Sequence, residues 1–132
     1  MALLVPNAAE AIILRYLVNT DAPEDLTIHL YTGVTPITET MVVGDFTELP
    51  VANGYASIPL TGTWTITEAD PSLAEHTLVD WTFTGTVGNV HGYFVTRATG
   101  GELMWAEEFT NGPYDIQTAS DQIRITPRIT AN

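Results

Sequence analysis

The chain changes its hydrophobic period once, near residue 26. Before that point apolar residues recur at helical spacing, and after it they alternate with polar ones. In the first segment Ala9, Ile12, Ile13, Tyr16 and Leu17 fall on one face, and Leu14 and Val18 widen it. The spacing predicts a helix over residues 7–19 that the rest of the molecule substantially covers. Asn7 is placed to cap the free N–H groups of the first turn. Glu10, three residues on, can complete a capping box, and its charge suits the positive end of the helix. Asp21 to Asp25, with Pro23 at its centre, then reads as a turn.

Leu26-Thr27-Ile28-His29-Leu30-Tyr31 puts Leu26, Ile28 and Leu30 on the inner face of a strand and His29 on the solvent face. Tyr55 to Leu60 is a short strand, which Pro59 restricts to an edge or a strand end. Trp64 and Ile66 alternate with threonines, as do Val79, Trp81 and Phe83 with Asp80, Thr82 and Thr84. Tyr93, Val95 and Arg97 share one face with His91 in line, and Phe94 lies on the other. Leu103 to Phe109 and Gln122 to Thr126 complete the set, with Ile123 and Ile125 inward. Turns are expected at Ala52-Asn53-Gly54, Thr61-Gly62, Gly85 to Asn89, Gly100-Gly101 and Asn111-Gly112-Pro113. Thr32 to Pro50 is less regular and is expected to be a long loop with at most one strand, near Val42-Val43. The pattern predicts an all-β fold, an antiparallel β-sandwich or jelly-roll-like barrel with one short N-terminal helix. The whole chain, 1–132, is expected to form a single domain: an arm at 1–6, the helix at 7–19 and the β domain at 26–130.

Composition narrows the function. The 132 residues suit one domain, which can bury roughly two-thirds of its unfolded surface. There is no cysteine, which removes disulfides, zinc–thiolate sites and thiol nucleophiles. The formal net charge is −12, and Arg15, Arg97, Arg124 and Arg128 are the only basic residues apart from histidine. Nucleic acid and anionic membrane surfaces are therefore not expected partners, because both are held by cations. The apolar start, Met1 to Val5, is too short for a membrane span and lacks the cationic region of a signal peptide.

Candidate chemistry is sparse. His29, His76 and His91 have no tight metal-ligand spacing. Asp21, Glu24 and Asp25 cluster in one turn and Glu68 and Asp70 in another, but neither matches a calcium loop. Glu107 and Glu108 should point to opposite faces of a strand, which is wrong for a glycosidase pair. No serine lies in a nucleophile elbow, and Gly85-Thr86-Val87-Gly88 lacks the lysine of a phosphate loop. Trp64, Trp81 and Trp105 could form a sugar platform, but their alternating strand positions favour the core. No catalytic residue, cofactor or metal is expected. Leu3, Leu4 and Val5 stand apart: they form either a staple for the helix or an arm that docks on a neighbouring subunit or capsid.

Short blocks along nearly the whole chain resemble small virion structural proteins of tailed bacteriophages. They include the Met-Ala-Leu-Leu-Val-Pro-Asn start, Leu30-Tyr31-Thr32, Gly54-Tyr55-Ala56, Trp64-Thr65-Ile66, Gly92-Tyr93-Phe94-Val95-Thr96, Leu103-Met104-Trp105-Ala106-Glu107 and Ile125-Thr126-Pro127-Arg128-Ile129. The resemblance implies a non-enzymatic virion protein assembled in the host cytoplasm. A head decoration (cement) protein that binds the major capsid protein as a homo-oligomer is the first expectation. A tail, fibre or baseplate component with receptor or carbohydrate recognition is the alternative.

Overall fold

A computed structural model describes residues 4–131. The helix α1 (Asn7–Leu17) comes first. Among the described residues twelve strands follow: β1 (Leu26–Thr32), β2 (Thr47–Glu48), β3 (Ile58–Leu60), β4 (Thr65–Thr67), β5 (Ser72–Glu75), β6 (Val79–Thr82), β7 (Gly88–Val90), β8 (Gly92–Arg97), β9 (Leu103–Glu108), β10 (Tyr114–Ile116), β11 (Gln122–Ile125) and β12 (Arg128–Ala131). The fold is all-β and sandwich-like, with every strand pair antiparallel and one N-terminal helix.

The largest sheet runs β2–β1–β8–β9, with β3 also paired to β1. Smaller sheets pair β6 with β11 and β7 with β10, and a third runs β12–β5–β4. The main core lies between them. Ile28 and Leu30 of β1, Tyr93 and Val95 of β8 and Trp105 of β9 meet Val79 and Trp81 of β6, Ile123 of β11 and Ile116 of β10. These are the inward positions that strict alternation marks. A β-bulge at Met104 breaks the β8–β9 register, since Val95 faces Trp105 but Thr96 faces Leu103. The extra residue lets Met104 and Trp105 both enter the main core.

The opposite face of the large sheet is also buried. Tyr31, Phe94, Leu103 and Ala106 pack there against Met41 and Phe46 of the loop that follows β1. This overturns two expectations. His29 is not on an open face: its ring stacks on Phe94 with centroids 4.6 Å apart. No strand forms at Val42-Val43. A 3-10 turn spans Val43–Asp45 instead, because the Asp45 carboxylate accepts the Val42 N–H at 2.9 Å, and the strand that does form is β2.

The helix begins differently from the expectation. Pro6, not Asn7, is the N-cap residue, and no side chain caps it. The Asn7 N–H donates to the Glu39 carbonyl at 2.9 Å, so the loop satisfies what a capping box would have satisfied. At the other end Asn19 takes a left-handed φ of 60°. The Asn19 and Thr20 N–H groups bond back to the Tyr16 and Arg15 carbonyls, which is a Schellman closure. Leu4 exchanges both backbone hydrogen bonds with Ala106, at 3.2 and 3.3 Å, on the outer edge of β9. Leu4 and Val5 thus sit on their own domain; Leu3, the third residue of the expected arm, lies outside the described residues.

Candidate functional site

The helix is covered on one side only. Ala9 and Ile12 are buried, while Ile13, Leu14, Leu17 and Val18 are 42%, 61%, 79% and 68% exposed. The expectation of a substantially covered helix is therefore corrected: the sheet offers room for one stripe, and the second stripe is left to solvent. Scattered surface apolar residues are ordinary, but four within one and a half turns form a contiguous patch.

The patch continues into a groove of about 390 Å³ between α1 and the three-stranded sheet. Val5, Glu10 and Ile13 form one wall. Ile66, Ala74 and Ile129 form the floor, and the strand register explains why they act together. Ala74 of β5 is the Cα partner of both Ile66 on β4 and Ile129 on β12. Directly paired residues project to the same face, so the three make a row across the sheet with its smallest member in the middle. Glu10 is the charged residue that lines the groove. The floor side chains come from strands three or four residues long.

A second cleft lies over the large sheet and holds the polar residues with most chemical potential. His29 Nδ1 lies 2.6 Å from Glu48 Oε1, and His29 Nε2 lies 2.9 Å from Thr96 Oγ1. Tyr55 donates its hydroxyl to the same Glu48 oxygen at 2.7 Å. The carboxylate only accepts, so Nδ1 donates to Glu48; in the neutral imidazole Nε2 then accepts from the Thr96 hydroxyl. The spacing is that of an orienter, a base and a hydroxyl nucleophile. Two features work against such use. Thr96 is only 6% exposed. The N–H groups that follow it are already committed: Arg97 donates to the Glu102 carbonyl, Ala98 to the Asp25 carbonyl, and Thr99 and Gly100 to the Glu24 carboxylate. No donor pair is left there to stabilise an oxyanion. The network instead satisfies polar groups at the floor of a surface cleft, where His29 stacks on Phe94. Sequence alternation could not reveal it, because Glu48 and Thr96 are 19 and 67 residues from His29.

The acidic turn after the helix is an anchor. Arg97, with a side chain 14% exposed, pairs with Glu24 at 3.2 Å, Glu102 at 2.9 Å and Asp21 at 3.9 Å. It also lies 5.8 Å from the Tyr16 ring centroid. Backbone N–H groups of Gly100 and Thr99, with Arg97 beside them, hold the Glu24 carboxyl below its ordinary value. Among the described residues no three His, Asp or Glu side chains gather as a metal site would require. Comparison with family models, with curated proteins and with solved structures gives no match to this chain.

The histidines are dispersed. His76 is buried with Nε2 2.7 Å from the Thr61 carbonyl oxygen, and His91 Nδ1 accepts the Gly33 N–H at 3.0 Å. Trp81 and Trp105 are each 2% exposed, and Trp64 is half-buried with its ring tilted edge-on to Trp105. The three therefore line no common surface platform. Glu107 and Glu108 pair with Tyr93 and Gly92 respectively, on opposite faces of β9. Sequence reasoning found Ile66 of the groove floor as an alternating position and missed Ala74 and Ile129. The Ile129 and Ala131 alternation after Pro127, and Leu73 between Ser72 and Ala74, were the available signs.

Proposed function

We propose that this protein is a non-enzymatic virion structural protein of a tailed bacteriophage, a head decoration protein that binds and stabilises the assembled shell. The observation that carries the reading is the uncovered apolar stripe of α1 running into the groove over Ala74. A monomer of this composition gains nothing in solubility from four exposed aliphatic side chains on one short helix, whereas a docking surface requires them. The block resemblance along the chain supplies the virion setting. The buried tryptophans weigh against a receptor-binding role built on aromatic platforms, and the committed N–H groups beyond Thr96 weigh against hydrolysis. In this reading the main partner is the major capsid protein, and the copies cluster symmetrically around the shell's own axes.

The test is imaging of intact particles at residue resolution, supported by labelling of the protein on purified virions. Density on the outer face of the head, with α1 turned to the shell, is the expected result. Density at the tail tip or fibres would replace this reading with the tail alternative. Absence from purified particles would end both.

A further inference from the structure

We infer that the groove between α1 and the β12–β5–β4 sheet is an anchor site for one large aliphatic side chain of a partner segment whose flanks carry lysine or arginine. The inference rests on the docking reading above and adds what the partner must look like. Neighbouring strands lie about 4.8 Å apart, so Ile66 and Ile129 stand roughly 10 Å from each other across Ala74. That leaves a depression one side chain wide, floored by a methyl group and walled on the helix side by Ile13 and Val5. A leucine-sized group seated there would touch the row on both sides and the helix above it.

Charge selects the flanks. Glu10 lines the groove, and the chain as a whole carries a formal charge of −12. Among the described residues three of its four arginines are already held in ion pairs: Arg97 as above, Arg124 with Asp80 at 3.4 Å and Arg128 with Glu75 at 2.9 Å. A second copy of this chain would bring the same acidic surface and no lysine, so it is a poor occupant. A cationic segment is attracted by the net negative charge of the chain, and the Glu10 carboxylate then fixes its register.

The probes are three short peptides titrated into the full-length protein and followed by backbone and methyl NMR. One has a central leucine among threonines with lysine flanks. The second replaces the lysines with glutamates, and the third replaces the leucine with alanine. Shift changes at Ile13, Ile66, Ala74 and Ile129 are expected with the first peptide, with at least tenfold weaker binding for the other two. Ala74→Leu fills the depression on a partly open face and is expected to weaken the lysine peptide about tenfold. Its thermal midpoint should stay unchanged; if it does not, Ile66→Ala, at an exposed position, provides the same reading by shallowing the depression. Glu10→Gln is expected to reduce the preference for lysine over glutamate. Equal binding of the lysine and glutamate peptides overturns the charge argument. Shifts that avoid the groove, or none at about 1 mM peptide, overturn the site. Concentration-dependent dimerisation abolished by Ala74→Leu would show a second copy as the occupant and overturn the partner assignment. Particle imaging is independent of these titrations, so a failed peptide result leaves the virion reading standing, and a failed localisation leaves the groove chemistry standing.

Discussion

Two tyrosines in β-strand surroundings allow one chemical change to be made twice with opposite expected outcomes. Strand β1 is paired along one side by β8, but along the other its partners β3 and β2 leave a gap opposite Leu30. Tyr55, buried to 2% exposure, fills that gap: its hydroxyl accepts the Leu30 N–H at 3.1 Å and donates to Glu48 at 2.7 Å. Tyr55→Phe keeps the ring against Trp81 and strands a buried backbone N–H. An unsatisfied buried donor costs about 1–3 kcal/mol. The lost bond to Glu48 adds less than about 1 kcal/mol, because the Glu48 side chain is 39% exposed and water can replace the phenol. The expected loss is about 2.5 kcal/mol. With about 2.1 cal/mol/K per residue over 132 residues, the entropy of unfolding is about 0.28 kcal/mol/K, so the thermal midpoint should fall by about 9 °C. Tyr31 is equally buried, but among the described residues its hydroxyl has no hydrogen-bond partner. Tyr31→Phe is therefore expected to leave stability unchanged or raise it by up to about 1 kcal/mol. Urea unfolding followed by tryptophan fluorescence, with calorimetry for the midpoint, measures both. A loss below about 0.5 kcal/mol for Tyr55→Phe, or equal losses for the two variants, would refute the account of the ladder gap.

Other consequences can be checked with the same material. Gly92→Ala would drive a Cβ into the Glu107 carbonyl oxygen and to 2.7 Å from the Tyr31 ring, and is expected to cost about 3 kcal/mol or more in urea unfolding. Arg97→Ala leaves three carboxylates without their shared cation. Because those partners are 21–42% exposed, the expected loss is about 2 kcal/mol rather than the value for a fully buried pair. Glu24 has a folded pKa below its ordinary 4.5, so its contribution is present above that pH and is lost as pH falls through the lowered value. Glu24→Gln should flatten the acid limb of the stability curve below pH 4.5. Burial, with Glu108 nearby, pushes the Tyr31 phenol up to about 12. Its stabilising effect is complete below pH 10 and lost as pH rises through 12. Tyrosinate absorbance at alkaline pH should accordingly lose a component near pH 12 in Tyr31→Phe.

The strands that could be read from the chain are mostly the longer ones, and those with one wet face read most directly. Val79, Trp81 and Phe83 alternate with polar residues and bury as the alternation demands. Strand β8 is buried on both faces, so it reads as a continuous run, and the placement of Tyr93 and Phe94 on opposite faces survived only because the period of two holds regardless of burial. Strands β5, β7, β10 and β12 escaped notice for a different reason. Each is three or four residues long, and Gly88-Asn89 carries turn chemistry although Asn89 pairs with Asp115. Short strands owe their conformation to the partner's ladder rather than to local preference, and a partner 24–28 residues away, as for β7 and β10, or 53–59 away, as for β5 and β12, leaves no local trace.

The helix shows how a failed expectation can carry functional information. An apolar count alone predicts coverage, because burial is the ordinary fate of aliphatic residues. The observed fold spends only Ala9 and Ile12 in full burial and leaves Ile13, Leu14, Leu17 and Val18 out. Local propensity does not require those four, since glutamate or lysine would hold a helix as well. Nor does stability: surface aliphatics on one side of an 11-residue helix contribute little to the monomer. By contrast, the polar residues of the chemically richest cleft are consumed by the fold itself, in the ladder gap at Leu30 and in the pairing of His29 with Glu48 and Thr96. What the fold leaves over is the apolar stripe and the depression at Ala74, so a function of this molecule is to be sought where its own packing stops.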